Sequence, residues 1–169
     1  RDVYKRQGLC RLALGTDTGG SVRIPASYCG VYGFKPSYGM LSRWGVVSYA
    51  DSLDTVGILA RELPDIARAF DVLAAEDPRD ATCVPNDVRQ RLSHVAIPSL
   101  PGLRVGVVQE LFPAEVDART LDAVDGVLES VASQGATIVP TSVPLVTSTA
   151  AVYYLLSLAE ASSNLAPVS

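Results

Sequence analysis

The residues best suited to chemistry lie in one short glycine-rich stretch, Leu14–Ala26. It reads LGTDTGGSVRIPA and places Ser21 directly after Gly19 and Gly20. Paired glycines leave peptide N–H groups bare, and successive bare N–H groups form a concave site for an anion. The anion could be a nucleotide phosphate or the tetrahedral oxyanion of an acyl transfer, and these two alternatives require different neighbouring residues.

The phosphate alternative fails on spacing. A Walker A loop follows the pattern G-x-x-x-x-G-K-[ST], in which the lysine reaches the phosphates. Gly15 and Gly20 have the required separation, but Ser21 stands at the lysine position and Val22 at the hydroxyl position. The dinucleotide fingerprint G-x-G-x-x-G is also absent from the stretch. We therefore do not expect a nucleotide phosphate to bind here.

The acyl-transfer alternative requires a nucleophile beside the N–H donors, and Ser21 is in that position. Losing one donor to a developing oxyanion typically costs on the order of 10²–10³ in rate. The hydrolase elbow G-x-S-x-G does not match, and the single histidine, His94, lies in a proline-rich connection where we expect a solvated loop residue. Ser21 would thus need another base. From these residues alone two interpretations stay open, a catalytic nucleophile or a turn that serves packing.

The first half of the chain provides few long periodic elements. We predict a strand over Cys10–Leu14 that enters a turn-rich segment, residues 15–57, which holds eight of the thirteen glycines. Apolar residues at helical spacing then predict a helix that begins around Glu62 to Pro64 and ends near Glu76. A polar connection with four prolines, residues 77–101, follows.

The second half predicts a strand, a helix and a strand in succession. The strand covers Leu103–Gln109, the helix runs through Leu121 and Val131 with Gly135 as its stop signal, and the next strand covers Ala136–Val139. Short links in this order favour a βαβ unit with parallel strands. A largely apolar last helix is predicted for 147–163. The fold class is therefore predicted to be α/β.

Composition excludes several classes of protein. Hydrophobic residues form 48 % of the chain and charged residues 19 %, which excludes a disordered tail. The net charge is −4 with no basic run, which argues against direct nucleic-acid binding. The longest apolar stretch, 150–159, is short of the ~20 residues that a membrane span requires. Three cysteines without C-x-x-C spacing argue against a disulfide framework, and we predict no metal site.

Several ordered motifs resemble the signature of the amidase family. They are Gly15–Ala26, Cys29–Gly39, Ser42–Val47 and Ser52–Gly57. The resemblance implies a partial amidase-signature fold with a mixed or mostly parallel sheet flanked by helices. It also implies that residues 8–166 are part of a single amidase domain. We expect residues 1–7 to be a non-native, adapter-like segment, residues 167–169 to depart from the family pattern, and the chain to be a fragment.

The resemblance also assigns roles to residues of the glycine-rich stretch. Ser21 is the acyl-enzyme nucleophile in this assignment. The oxyanion hole is formed by the backbone N–H groups of Thr18, Gly19 and Gly20, together with that of Ser21 itself. Supporting residues that anchor the loop are Thr16, Asp17 and Arg23, the last two through a buried ion pair. The base system of the family, a lysine and a cis-peptide serine, lies upstream of Gly8, and Lys35 belongs to a structural Lys-Pro turn.

Within the family, residues 153–166 resemble the A subunits of glutamyl-tRNA(Gln) amidotransferases, in a variant closer to mitochondrial than to bacterial forms. The resemblance implies glutamine as substrate, amidotransferase partner subunits (B, and C- or F-like), and tRNA contacted only through the complex. It implies no cofactor on this chain, since ATP and magnesium are used on the partner. It also implies a matrix location without a membrane, or a cytoplasmic one in a bacterium. Glu160 and Asn164 are candidates for the edge of a pocket.

Two alternatives to that assignment stay open. One is a stand-alone amidase of the same family that acts on another small amide, such as a fatty-acid amide or an aryl acetamide. The other is a non-catalytic scaffold remnant that keeps the fold and a partner surface. A fragment that holds the nucleophile without its base is expected to be inactive alone.

Overall fold

The computed structural model of the chain describes residues 8–88, 92, 99–113 and 115–166. These residues form two compact units, one drawn from residues 8–88, 92 and 153–166 and the other from 99–113 and 115–152. The predictions for residues 1–7, for residues 167–169 and for His94 fall outside the described residues.

The first unit contains a three-stranded antiparallel sheet. Its strands are β1 (Leu12–Asp17), β2 (Tyr32–Phe34) and β3 (Thr55–Ala60). The spatial order is β1-β3-β2, so β3 lies between the other two strands. Gly15 of β1 lies opposite Gly57 of β3, and Phe34 of β2 lies opposite Ile58. The sheet therefore has its last strand in sequence at its centre.

Helices cover both faces of this sheet. They are α1 (Arg23–Cys29) and α2 (Leu63–Leu73). On one face Ile58 and Ala60 of β3 pack with Phe70 of α2. The Phe70 and Phe34 rings lie edge to face, with their centroids 5.6 Å apart. On the other face Leu59 packs with Val22 and with Ala26 of α1. Because alternate residues of a strand point to opposite faces, β3 is buried on both sides.

The second unit contains a β-α-β arrangement. Its elements are β4 (Arg104–Val108), α3 (Ala118–Ser133) and β5 (Thr137–Thr141). The two strands pair in parallel, with Arg104 opposite Thr137. Asp117 begins the helix by accepting a hydrogen bond from the N–H of Arg119 at 3.0 Å. Gly135 follows the helix end with φ of 98°, a backbone conformation that suits glycine. The predicted βαβ unit is confirmed.

The last helix, α4 (Thr149–Asn164), has sixteen residues, and the division between the two units falls within it. Short 3-10 turns occur at Asn86–Val88, Gln109–Leu111 and Pro144–Ser148. Among the helices of the described residues, none combines the length and the apolar character needed to cross a membrane.

The α/β class predicted from the sequence is confirmed, but within the part of the chain that the structure describes, parallel pairing is confined to β4 and β5. The sheet that carries the glycine-rich turn is antiparallel in both of its ladders, so of the two expected alternatives, mixed or mostly parallel, the described residues show both kinds of pairing and not a mostly parallel sheet. The reason is that β3 inserts between β1 and β2, and it runs opposite to both. The segment 15–57, predicted as turn-rich, also contains α1 and β2, which are too short to show periodicity.

Candidate active site

The turn between β1 and α1 places Ser21 on the surface and its neighbour in the core. β1 ends at Asp17 and α1 begins at Arg23. Ser21 is exposed, whereas Val22 is only 1 % exposed and belongs to the cluster with Ala26. The seating of Val22 therefore fixes where the Ser21 backbone lies.

Three glycines provide the space for Val22, and we call Gly15, Gly33 and Gly57 the glycine floor. An added Cβ on Gly57 would lie 3.0 Å from Cγ2 of Val22, and one on Gly15 would lie 3.3 Å from the same atom. An added Cβ on Gly33 would lie 2.7 Å from the Val22 carbonyl oxygen. Side chains at these positions would push the turn away from the sheet.

Asp17 anchors the turn from within. Its carboxylate is fully buried and accepts hydrogen bonds from the N–H groups of Gly20 at 2.7 Å, Val22 at 3.1 Å and Arg23 at 3.3 Å. The half-exposed Arg23 guanidinium also donates to it through Nε and Nη2, both at 3.0 Å. The predicted contact between Asp17 and Arg23 is thus present. Burial acts to raise the pKa of Asp17, but the bonds from Arg23, Val22 and Gly20 outweigh it and hold that pKa below its ordinary value.

The backbone donors of the turn are in two different states. The Gly20 N–H is bound to Asp17 Oδ1, so the prediction that Gly20 is an oxyanion donor is corrected: one hydrogen cannot serve both partners well. Gly20 has φ of 130°, which an L side chain rarely adopts. No described residue supplies an acceptor for the N–H groups of Thr18, Gly19 and Ser21. The donors without an acceptor therefore lie on either side of Gly20.

Asp54 holds Thr18, a contact that the motifs alone did not reveal. The Thr18 hydroxyl donates a hydrogen bond to Oδ1 of Asp54. Oδ2 of the same carboxylate accepts the N–H groups of Tyr49 at 2.7 Å and Ala50 at 3.0 Å. Asp54 is 3 % exposed. The one sequence signal for it was its place in the Ser52–Gly57 motif, which matched the family without indicating a partner.

Helix α4 contacts this region through its last three turns. The ring of Tyr153 lies against Gly19, where an added Cβ would be 2.5 Å from Cζ. Glu160 accepts the Ser52 N–H at 2.9 Å and also the Ser52 hydroxyl. The Asn164 side chain donates to the Tyr49 carbonyl at 3.3 Å. Sequence reasoning expected Glu160 and Asn164 at a pocket edge; the structure shows them tying α4 to the loop that contains Asp54.

Two further candidate residues, Thr16 and Lys35, make contacts outside the turn. Thr16 is exposed in β1, opposite Val56. Lys35 donates from Nζ to the Pro36 carbonyl at 2.8 Å, in agreement with a structural turn. A groove of about 690 Å³ has Trp44 and Asp54 among its lining residues, and Ser21 is not one of the described residues that line it.

The chain is similar to curated proteins in fungi and bacteria. It is 47 % identical to the mitochondrial A subunit of glutamyl-tRNA(Gln) amidotransferase from Mycosarcoma maydis, over 95 % of this chain and 32 % of that protein. It is 46 % identical to the A subunit of the corresponding enzyme from Solidesulfovibrio magneticus, over 94 % of this chain and 33 % of that protein. The chain thus spans about a third of the length of these relatives.

The fold and the family agree with that similarity. The crystal structure of the glutamyl-tRNA(Gln) amidotransferase A subunit from Thermotoga maritima superposes with a TM-score of 0.86 at 33 % identity, covering 97 % of this chain and 36 % of that one. The sequence model of the family described as Amidase matches residues 7–168. The chain belongs to the amidase family.

Proposed function

We propose that the protein containing this chain hydrolyses a carboxamide through an acyl-enzyme formed on Ser21. The observation that carries the proposal is the exposed Ser21 side chain beside the N–H groups of Thr18, Gly19 and Ser21, for which no described residue supplies an acceptor. Backbone donors held in place before the reaction stabilise a developing oxyanion without reorganisation. Asp17 and the glycine floor hold the turn in this form.

The proposed reaction has two steps. Ser21 Oγ attacks the carboxamide carbon, the carbonyl oxygen takes its charge into the turn, and the serine proton passes through a base to the departing nitrogen, which leaves as ammonia. Water then attacks the ester and restores Ser21. Lys35 is bound to the Pro36 carbonyl, so we assign the base to the lysine and serine pair of the family, outside the described residues. Such a lysine must have its pKa lowered by desolvation or by neighbouring cations.

We further propose that the substrate is glutamine and that the ammonia passes to a partner subunit. There Glu-tRNA(Gln), activated with ATP and magnesium on that partner, would become Gln-tRNA(Gln). The relatives from Mycosarcoma maydis and Solidesulfovibrio magneticus are named as A subunits of a glutamyl-tRNA(Gln) amidotransferase, and these names support the assignment. The net charge of −4 supports tRNA contacts through the partners, which we propose are B and C- or F-like subunits.

The proposed location is the mitochondrial matrix. Mitochondrial forms from Mycosarcoma maydis and Emericella nidulans are among the relatives, at 47 % and 48 % identity. Bacterial forms are similar at nearly the same level, which leaves the cytoplasm of a bacterium as the alternative.

The test uses the full-length protein assembled with its partner subunits. Ser21→Ala should abolish the amidation of Glu-tRNA(Gln) that depends on glutamine, while amidation with added ammonia continues. The second activity is the control for assembly, because it requires the partner sites but no nucleophile on this chain. Retention of glutamine-dependent amidation by Ser21→Ala would contradict the proposal.

A further inference from the structure

We propose that Asp54 is a positioning residue for the oxyanion turn and acts through the hydroxyl of Thr18. This inference rests on the proposed function, because it concerns the N–H groups that would receive the oxyanion. Its structural basis is the hydrogen bond from Thr18 Oγ1 to Asp54 Oδ1, between residues 36 positions apart in the chain.

The Asp54 carboxylate is itself held firmly. Its Oδ2 accepts the N–H groups of Tyr49 and Ala50, which leaves Oδ1 directed at Thr18. The residue is 3 % exposed, so water does not compete effectively for the carboxylate. A buried charge that has lost a hydrogen-bond donor is costly, and this favours one position of the Thr18 hydroxyl.

The turn needs a support at Thr18 because two glycines follow it. Gly19 and Gly20 have no side chains to restrict their backbone, and glycine samples more conformations than any other residue. Asp17 fixes the far side of the pair by accepting the N–H groups of Gly20 and Val22. Asp54 fixes the near side through Thr18. The two carboxylates therefore hold the backbone on both sides of Gly19, Asp54 through the Thr18 hydroxyl and Asp17 through the Gly20 N–H. The N–H groups of Thr18 and Gly19 lie in the segment between these two contacts.

The support extends to helix α4. Glu160 binds the N–H and the hydroxyl of Ser52, two residues before Asp54. Asn164 donates to the Tyr49 carbonyl, and the Tyr49 N–H is itself bound to Asp54. The loop that carries the positioning carboxylate is thus attached to the helix whose Tyr153 ring lies against Gly19. Helix α4 therefore contacts both the loop that contains Asp54 and the glycine pair.

The test compares two substitutions of one residue in the full-length protein with its partner subunits. Thr18→Val removes the hydroxyl at nearly constant shape, and Thr18→Ser retains it. We expect Thr18→Val to lower kcat for glutamine hydrolysis by about 10- to 100-fold, because a small misplacement of oxyanion donors costs rate and not ground-state binding. KM should change little, and Thr18→Ser should restore most of kcat. Such rescue would not follow from a merely structural loss.

A control comes from a second threonine that donates to an aspartate. The Thr82 hydroxyl donates to Asp80 at 2.6 Å and accepts from Arg43 Nη2 at 3.2 Å, so Thr82→Val removes a bond of the same type that involves no residue of the Ser21 turn. We expect kcat to be unchanged in Thr82→Val. If Thr18→Val is too unstable to assay, Asp54→Asn provides a second route: its oxygen can still accept from Tyr49 and Ala50, while its NH₂ reverses the bond to Thr18. We expect Asp54→Asn to lower kcat, as Thr18→Val does.

The outcomes separate this inference from the proposed function. Acid-quenched reactions with glutamine are analysed for a glutamyl adduct on Ser21 in every variant. An adduct that forms at the same rate in wild type, Thr18→Val and Asp54→Asn would overturn the positioning role and leave the nucleophile in place. Absence of any adduct in the wild type, together with unchanged hydrolysis in Ser21→Ala, would overturn the proposed function and this inference with it.

Discussion

Gly57 lies so close to Val22 and to the Phe34 carbonyl oxygen that an added side chain would force its neighbours to move. An added Cβ on Gly57 would be 3.0 Å from Cγ2 of Val22 and 2.8 Å from the Phe34 carbonyl oxygen. The second contact is with backbone, which cannot rotate away as a side chain can. The absence of a side chain at position 57 is therefore what allows Val22 to be buried and Ser21 to stand beside it on the surface.

Gly57→Ala should destabilise the protein and move the turn. Forcing a methyl group into this contact is expected to cost about 1–3 kcal/mol of unfolding free energy. Gly126→Ala is the matched control, because an added Cβ there meets nothing within 4 Å and the position lies inside helix α3. That change should stabilise by about 0.5–1 kcal/mol. Denaturant titration of both variants checks the prediction, and equal effects of the two changes would contradict it.

Asp17→Asn should lower the unfolding free energy at neutral pH and make that free energy less dependent on pH in the acidic range. The folded-state pKa of Asp17 lies below its ordinary value of 3.8, so the unfolded chain takes up a proton at higher pH than the folded one. The stabilisation is therefore complete well above pH 3.8 and is lost as the pH falls through the folded pKa. Replacing a buried, fully bonded carboxylate should cost on the order of 3 kcal/mol at neutral pH.

The measurement for Asp17 is the unfolding midpoint as a function of pH, with Asp122→Asn as control on the exposed side of α3. Wild type and Asp122→Asn should lose stability steeply below about pH 4, the region where carboxyl groups titrate. The unfolding midpoint of Asp17→Asn should be lower than that of the wild type at neutral pH, and it should decrease less as the pH falls. A parallel loss in all three proteins would show that Asp17 is not coupled to folding as described.

Gly19→Ala should destabilise the protein, and removing the Tyr153 ring should reverse part of that loss of stability. The added Cβ would lie 2.5 Å from Cζ of Tyr153, so either the turn or the ring must shift. In a Tyr153→Ala background that conflict disappears. The four proteins of the cycle should give a favourable interaction energy of about 1 kcal/mol or more from their unfolding midpoints. Strict additivity of the two changes would mean that Tyr153 does not lie against the turn.

The parts of the fold that could be predicted are those with long-range periodicity. Helix α2 and the unit of β4, α3 and β5 follow from apolar spacing that the structure retains, with ends displaced by one to three residues in most cases. Helix α1 escaped prediction because it has only seven residues and contains Pro25. Its first residue is held by the Asp17 carboxylate, a contact that no local propensity describes.

Strand β3 escaped prediction for a different reason. It is buried on both faces, so its residues do not alternate between apolar and polar, and Gly57 interrupts the run. The motif predicted the Asp17–Arg23 contact, which the structure shows, whereas the catalytic roles of Ser21 and of its neighbouring donors stay predictions. Asp54 and Glu160 could not be assigned their partners, because contacts across 36 and 108 residues depend on how the chain folds back.

The most direct measurement is the mass of the peptide containing Ser21 after the assembled full-length protein is mixed with glutamine and quenched in acid during turnover. Wild type should carry one glutamyl group on that serine, and the group should be absent in Ser21→Ala. A protein that releases ammonia from glutamine at its full rate while Ser21 stays unmodified at every quench time, and whose Ser21→Ala variant is equally active, would contradict an acyl-enzyme at this position.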